Sequence, residues 1–228
     1  MTTTALSNSD RLRLTIKLAE PRLDELSHQF WNHPNLVEIF PKYLLTLYAS
    51  MRATVPLAEA ATARARELAD SDPLAEQLVP YLVKHAKEEL HHDEWLLDDM
   101  EVIGLDRKEV LARIPPAPIA ELMGAQYYWT YFAHPVAVLG SFAVLEGSPP
   151  LEETLDKLVE RGIPKYALRC IYKHAILDPH HRDDLNDVLD VLPLEPRHAA
   201  ILGVSSLHVV SKLSDVIEGL LQTNGAGS

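Results

Sequence analysis

The chain has 228 residues, 47% hydrophobic and 24% charged, enough for one domain with a substantial core. Its 21 basic and 33 acidic residues leave a net charge of −12, which argues against a nucleic-acid backbone or an anionic membrane as partner. A single cysteine, Cys170, excludes an intrachain disulfide framework and a thiolate zinc site, and fits a reducing, cytoplasmic compartment.

Glycine is scarce, with 9 residues, while leucine and alanine are abundant, which favours helix over sheet. Residues 10–31 read as an amphipathic helix with Leu12, Ile16, Leu23 and Leu26 on one stripe and a bend at Pro21. A turn around His33 leads into a helical region over 36–69, with Pro41 and Pro56 as bends or starts. Ser71, Asp72 and Pro73 form a stop followed by a new N-cap with proline at N1.

One helix is expected over 73–102, ending near Gly104, then a short one over 107–114. Residues 119–146 form a long aromatic and apolar segment kinked near Pro135 and closed by Gly147-Ser148-Pro149-Pro150. A charged helix over 151–161 precedes a helix running to about 191, and a last one spans 196–221. No strand alternation, interdomain linker, secretory n-region or run of about 18 uninterrupted apolar residues is visible. The expectation is a single all-α domain over 1–228, a bundle of seven or so helices, with 1–9 and 222–228 as flexible tails.

The stretch 173–187, KHAILDPHHRDDLND, carries His174, Asp178 and His181 at i, i+4 and i+7. At about 100° per residue these fall within one narrow stripe of a helix. Two imidazoles and a carboxylate converging there suit a divalent transition metal. Pro179 removes an N–H that would bond to the Ala175 carbonyl, so this turn is expected to be kinked or partly unwound. The stretch 83–95, VKHAKEELHHDEW, repeats the stripe with His85, Glu89 and His92. Glu89-x-x-His92 has the spacing used by binuclear carboxylate bundles. Glu88 and His91 share that spacing about 100° away, so only one pair faces the core; His85 shares the face of Glu89, and Trp95 and Leu96 follow His92, which points to Glu89 with His92. His85 is a seventh ligand, a second contact layer, or a satisfied core histidine. Glu146 ends the apolar run GSFAVLEGS, where an ionised carboxylate is costly without a cation. Three carboxylates and neutral histidines set three negative charges against the four positive ones of two divalent ions. Tyr128, Tyr131 and Phe132 either line a pocket beside this site or belong to the core.

These motifs resemble the haem-oxygenase-like diiron oxidases, a branch of the fold that also holds haem oxygenase, the TenA thiaminases and pyrroloquinoline-quinone synthase. The resemblance spans about residues 30–190. It implies a seven-helix bundle holding two iron ions through Glu89, His92, Glu146, His174, Asp178 and His181. It implies O2 as co-substrate, an external electron donor, a small organic substrate and a homodimer. N-oxygenation of an amine is the first expectation, with oxidative C–C cleavage or decarboxylation of an amino or fatty acid beside it. A metal-dependent hydrolase or a non-catalytic metal-binding protein is the alternative of another class. His91 stands where the family often has glycine, and His85 stands where some members place the first carboxylate. The haem-oxygenase branch would need an early axial histidine, for which His28 is available. The thiaminase branch would need a cysteine nucleophile, for which Cys170 lies one turn before His174.

Overall fold

Asp72 shows how side-chain chemistry starts the elements of this protein. Its Oδ1 accepts the free N–H groups of Leu74 and Ala75 at 2.9 and 3.2 Å, and Pro73 opens the helix behind it. Ser7 and Asp106 cap two other helices in the same way. The computed structural model describes residues 6–147 and 149–222; these fold into helices and turns, with no strand among them. In order they are α1 (Asn8–Ala19), α2 (Pro21–Trp31), α3 (Leu36–Met51), α4 (Thr54–Leu68), α5 (Pro73–Glu88), α6 (His92–Val102), α7 (Arg107–Ala112), α8 (Ala117–Phe132), α9 (Ala137–Leu145), α10 (Glu152–Glu160), α11 (Arg169–Val191) and α12 (Pro196–Gln222). A 3₁₀ turn, Lys165–Leu168, leads into α11.

The twelve helices exceed the expected seven or so because longer segments divide. Pro21 ends α1 rather than bending it, and Arg52-Ala53 separates α3 from α4. The segment 73–102 breaks at Glu89–His91, and Pro135 lies in the gap between α8 and α9. At the first of these breaks His91 sits in the left-handed region with φ 71°, the only non-glycine with positive φ among the described residues. A side chain there costs about 1–2 kcal/mol. His91→Gly is therefore expected to stabilise the protein by roughly 1 kcal/mol in chemical denaturation.

At Pro179 one of the two expected outcomes, partial unwinding, does not occur. The helix α11 continues through it without interruption, so the turn is not unwound. The tail expected over 1–9 also ends earlier: Asn8 and Ser9 are helical, and Ser9 is buried with its N–H and hydroxyl on Asp190. Gln222 belongs to α12, while residues 1–5 and 223–228 of the expected tails lie outside the described residues.

Two apolar clusters make the core. One joins Leu74, Leu78 and Leu82 of α5, Phe142 of α9, and Leu185 and Leu189 of α11. The other joins Phe40 and Leu44 of α3, Leu96 and Met100 of α6, and Cys170 and Ile171 of α11. Each fully buried leucine or phenylalanine contributes about 1.5–3 kcal/mol of burial free energy. The helix α12 is long and apolar enough to cross a membrane by length and composition, with a mean hydropathy of 1.4 over 18 residues. Here it packs against α1, α2, α8 and α9. At Gly140 a Cβ would stand 2.4 Å from the Leu202 carbonyl oxygen, so the absence of a side chain lets α9 lie directly on α12. That contact fixes α9, and Glu146 follows at its C-terminal end.

Candidate metal centre

The two core clusters meet along α11, and there the histidines and carboxylates gather. His85 comes from the last turn of α5, Glu89 from the position just after it, and His92 from the first position of α6. Glu146 caps α9, while His174, Asp178 and His181 come from α11. His85, Glu89, His92, Glu146, Asp178 and His181 are buried, and His174 is partly so. Glu88 and His91 are exposed.

Glu89 stands at the middle. Its Oε2 accepts a hydrogen bond from His92 Nδ1 at 3.2 Å, and its Oε1 lies 3.3 Å from His181 Nδ1. Glu146 presents Oε1 to His85 Nε2 at 3.3 Å and Oε2 to His181 Nδ1 at 3.6 Å. The His92 and His174 rings meet edge-to-face with centroids 4.9 Å apart. One ligand atom from each of Glu89, His92 and His174 fits within a 4.8 Å span.

Burial, and then the charges of Glu146 and Glu89, push the Asp178 carboxyl up to about 8. Burial alone would raise Glu89 as well, but the hydrogen bond and charge of His92 outweigh it and hold Glu89 below its ordinary value. Burial likewise opposes charge on His85, and the neighbouring Glu146 overcomes it, leaving His85 raised. His174 is lowered, mainly by burial.

The fit to a metal rests on atoms without partners. Ten buried side-chain nitrogens and oxygens lack a hydrogen bond among the described residues, and six belong here: His85 Nε2, Glu89 Oε1, Glu146 Oε2, His174 Nε2, Asp178 Oδ1 and His181 Nδ1. The short distances above therefore bring these atoms together without hydrogen-bond geometry. A buried polar atom left unpaired costs about 1–3 kcal/mol, so six in one place is a cluster built for a missing partner. His174 also shows its tautomer. Its Nδ1 lies 2.9 Å from the Cys170 carbonyl oxygen, an obligate acceptor, so the proton is on Nδ1 and the Nε2 lone pair is free for a cation.

A second cluster, Asp72, His134 and His198, has the same residue types. Its chemistry is the reverse. The Val136 N–H donates to His134 Nδ1 at 3.0 Å and the Glu195 N–H donates to His198 Nδ1 at 3.2 Å. Both rings must then carry their proton on Nε2, the atom a metal would need, and His134 donates it to Asp72 Oδ2 at 3.0 Å. This is a clasp joining the starts of α5, α9 and α12. His134→Ala is expected to leave the stoichiometry of bound iron unchanged and to lower stability by about 1–3 kcal/mol, read by metal analysis and denaturation.

Several side chains close off the first cluster. Phe142 packs on His85 at 4.3 Å between centroids, and Tyr81 stacks on its ring at 5.7 Å. Trp95 stacks on His92 at 4.1 Å, with Lys173 Nζ 3.5 Å from the indole centroid. No motif marks Phe142 or Lys173; their roles come only from packing. Tyr128, Tyr131 and Phe132, expected in pocket or core, are 62%, 48% and 75% exposed, so they do not belong to the core. Apolar helix context misleads there because no described residue covers the outer face of α8. His28 is exposed, so it offers no interior axial ligand for haem. Cys170 is fully buried, and burial pushes its thiol well above the ordinary range, which disfavours a nucleophilic thiolate.

The family model described as iron-containing redox enzyme matches residues 42–205. No curated protein matches significantly. Among solved structures, a domain of unknown function with a heme oxygenase-like fold from Shewanella denitrificans OS217 superposes with a TM-score of 0.77 at 14% identity, covering 93% of this chain and 91% of that one. A TenA homolog from Pseudomonas syringae pv. tomato DC3000 superposes with a TM-score of 0.71 at 14% identity, covering 97% and 98%. The fold is therefore haem-oxygenase-like and all-α.

Proposed function

The chain belongs to the iron-containing redox enzymes, and on that footing we propose that it holds two iron ions and uses O2 to oxidise a small organic substrate. Glu89, His92, Glu146, His174, Asp178 and His181 are the ligands in this reading, with His85 either joining them or orienting Glu146. The observation that carries it is the convergence of six unpartnered buried polar atoms from three chain segments: the end of α5, the end of α9 and α11. Nitrogen and oxygen donors without thiolate suit iron or manganese. Bound iron supplies the one-electron steps that make O2 reactive.

The protein's own groups do the rest. The His174 tautomer is set by the Cys170 carbonyl, which keeps one imidazole lone pair aimed inward. Asp178 holds a proton until a cation replaces it. Phe142, Tyr81 and Trp95 exclude water from the histidine faces they cover. The proposed reaction class is oxygenation of an amine nitrogen, the commonest chemistry of the family these motifs resemble, with electrons from an external donor.

The test is anaerobic titration with ferrous iron followed by rapid mixing with O2. Two equivalents bound and a transient visible absorption support the reading; an N-oxygenated product from an amine panel fixes the reaction class, and carbon–carbon cleavage or decarboxylation products replace that part of it. Hydrolysis supported equally by zinc, or iron that binds without reacting, overturns it.

A further inference from the structure

We propose that Asp99 is a positioning residue for the metal centre, setting His174 through the backbone of Cys170; this rests on the metal-binding reading above. Asp99 stands seven residues after His92 in α6, so the two share one face of that helix. Its carboxylate is 0% exposed, a costly place for a charge without partners. Oδ2 accepts the Cys170 N–H at 2.8 Å, and Oδ1 accepts Arg169 Nε at 3.0 Å.

The helix α11 has no side-chain cap of its own at Leu168, and Cys170 lies in its first turn. Asp99 therefore supplies, from a neighbouring helix, the acceptor that the first turn lacks. The other end of the same residue acts on the site: the Cys170 carbonyl takes the His174 Nδ1–H at 2.9 Å. One residue thus links the Asp99 carboxylate to the imidazole that faces His92. Arg169 ties the arrangement down by donating also to the Tyr166 carbonyl at 3.1 Å. Helix α6 contributes one imidazole directly and orients a second through this relay.

The experiment is a double-mutant cycle on metal affinity, with ferrous iron and zinc as probes in competition with a chelator. Asp99→Ala is expected to weaken binding about 10–100-fold, the range for losing a group that orients a ligand. In a His174→Ala background the same change is expected to add almost nothing, because the ligand it orients is gone. Asp99→Asn retains one acceptor oxygen and is expected to fall between, and it serves if the alanine variant does not fold. In the metal-free protein, the Nδ1–H resonance of His174 is expected to exchange faster in either variant.

Equal weakening in both backgrounds means general loosening and overturns the proposal, as does unchanged affinity with an unchanged Nδ1–H signal. A parent protein that binds neither metal removes the metal-binding reading itself, and this proposal with it. Tight binding with no coupling between Asp99 and His174 removes only this proposal.

Discussion

Asp178→Asn is expected to stabilise the metal-free protein at pH 8 and to weaken its iron binding at the same time. The Asp178 carboxyl is raised to about 8 in the folded chain, first by burial and then by Glu146 and Glu89. Between about pH 4 and 8 the unfolded carboxyl has lost its proton while the folded one keeps it, so the folded state binds more protons. Stability of the metal-free protein therefore falls as pH rises through that window, with this group contributing at most about 1.4 kcal/mol per pH unit. Asparagine has no proton to lose, so the variant is expected to show a flatter profile in urea unfolding from pH 5 to 8. Iron reverses the sign for the parent, because a cation displaces the proton and binds more tightly as pH rises. The variant offers no anionic oxygen, and its affinity is expected to drop more than about 100-fold, beyond the usual cost of losing an orienting group. A variant whose stability tracks pH as the parent's does would place the buried proton on another group.

Glu89→Ala is expected to abolish binding of both iron equivalents, whereas Glu88→Ala leaves both intact. The physical reason is the position of Glu89 between two histidines, with Oε2 toward His92 and Oε1 toward His181. Removing it strips an anionic donor shared by both halves of the cluster and leaves His92 and His181 without the charge that faces them. Glu88 is exposed and lies within 3.7 Å of Lys84, a surface pair of about 0–1 kcal/mol. Metal content after anaerobic loading and desalting reads both variants. Retention of one full equivalent by the alanine variant would show that Glu89 serves a single ion.

The sequence made the α11 half of the cluster legible and the other half legible only in part. His174, Asp178 and His181 obey helical arithmetic because the helix beneath them is unbroken, even at Pro179. His85, Glu89 and His92 meet for a different reason. Their helix ends, turns through His91 in a left-handed conformation, and begins again at His92. No periodicity reports such a break when the residue is histidine rather than glycine, although the position of His91 in the resemblance hints at it. Asp99 is not legible from sequence because Asp98-Asp99 looks like a solvated pair, and only packing shows that one of the two is interior. Exposure of Tyr128 and Phe132 was equally hidden, since aromatic content says what a face can bury and not whether a neighbour arrives to cover it.

The cluster also lies on the seam between two hydrophobic bodies. Helices α5 and α9 anchor in one and α6 in the other, with α11 stitched into both at opposite ends. Cations held between Glu89, Glu146 and the α11 donors would act as rivets across that seam. Chelation then becomes a mechanical fastening as well as a chemical one. Demetallation should let the halves breathe against each other along α11 while each keeps its own interior packed.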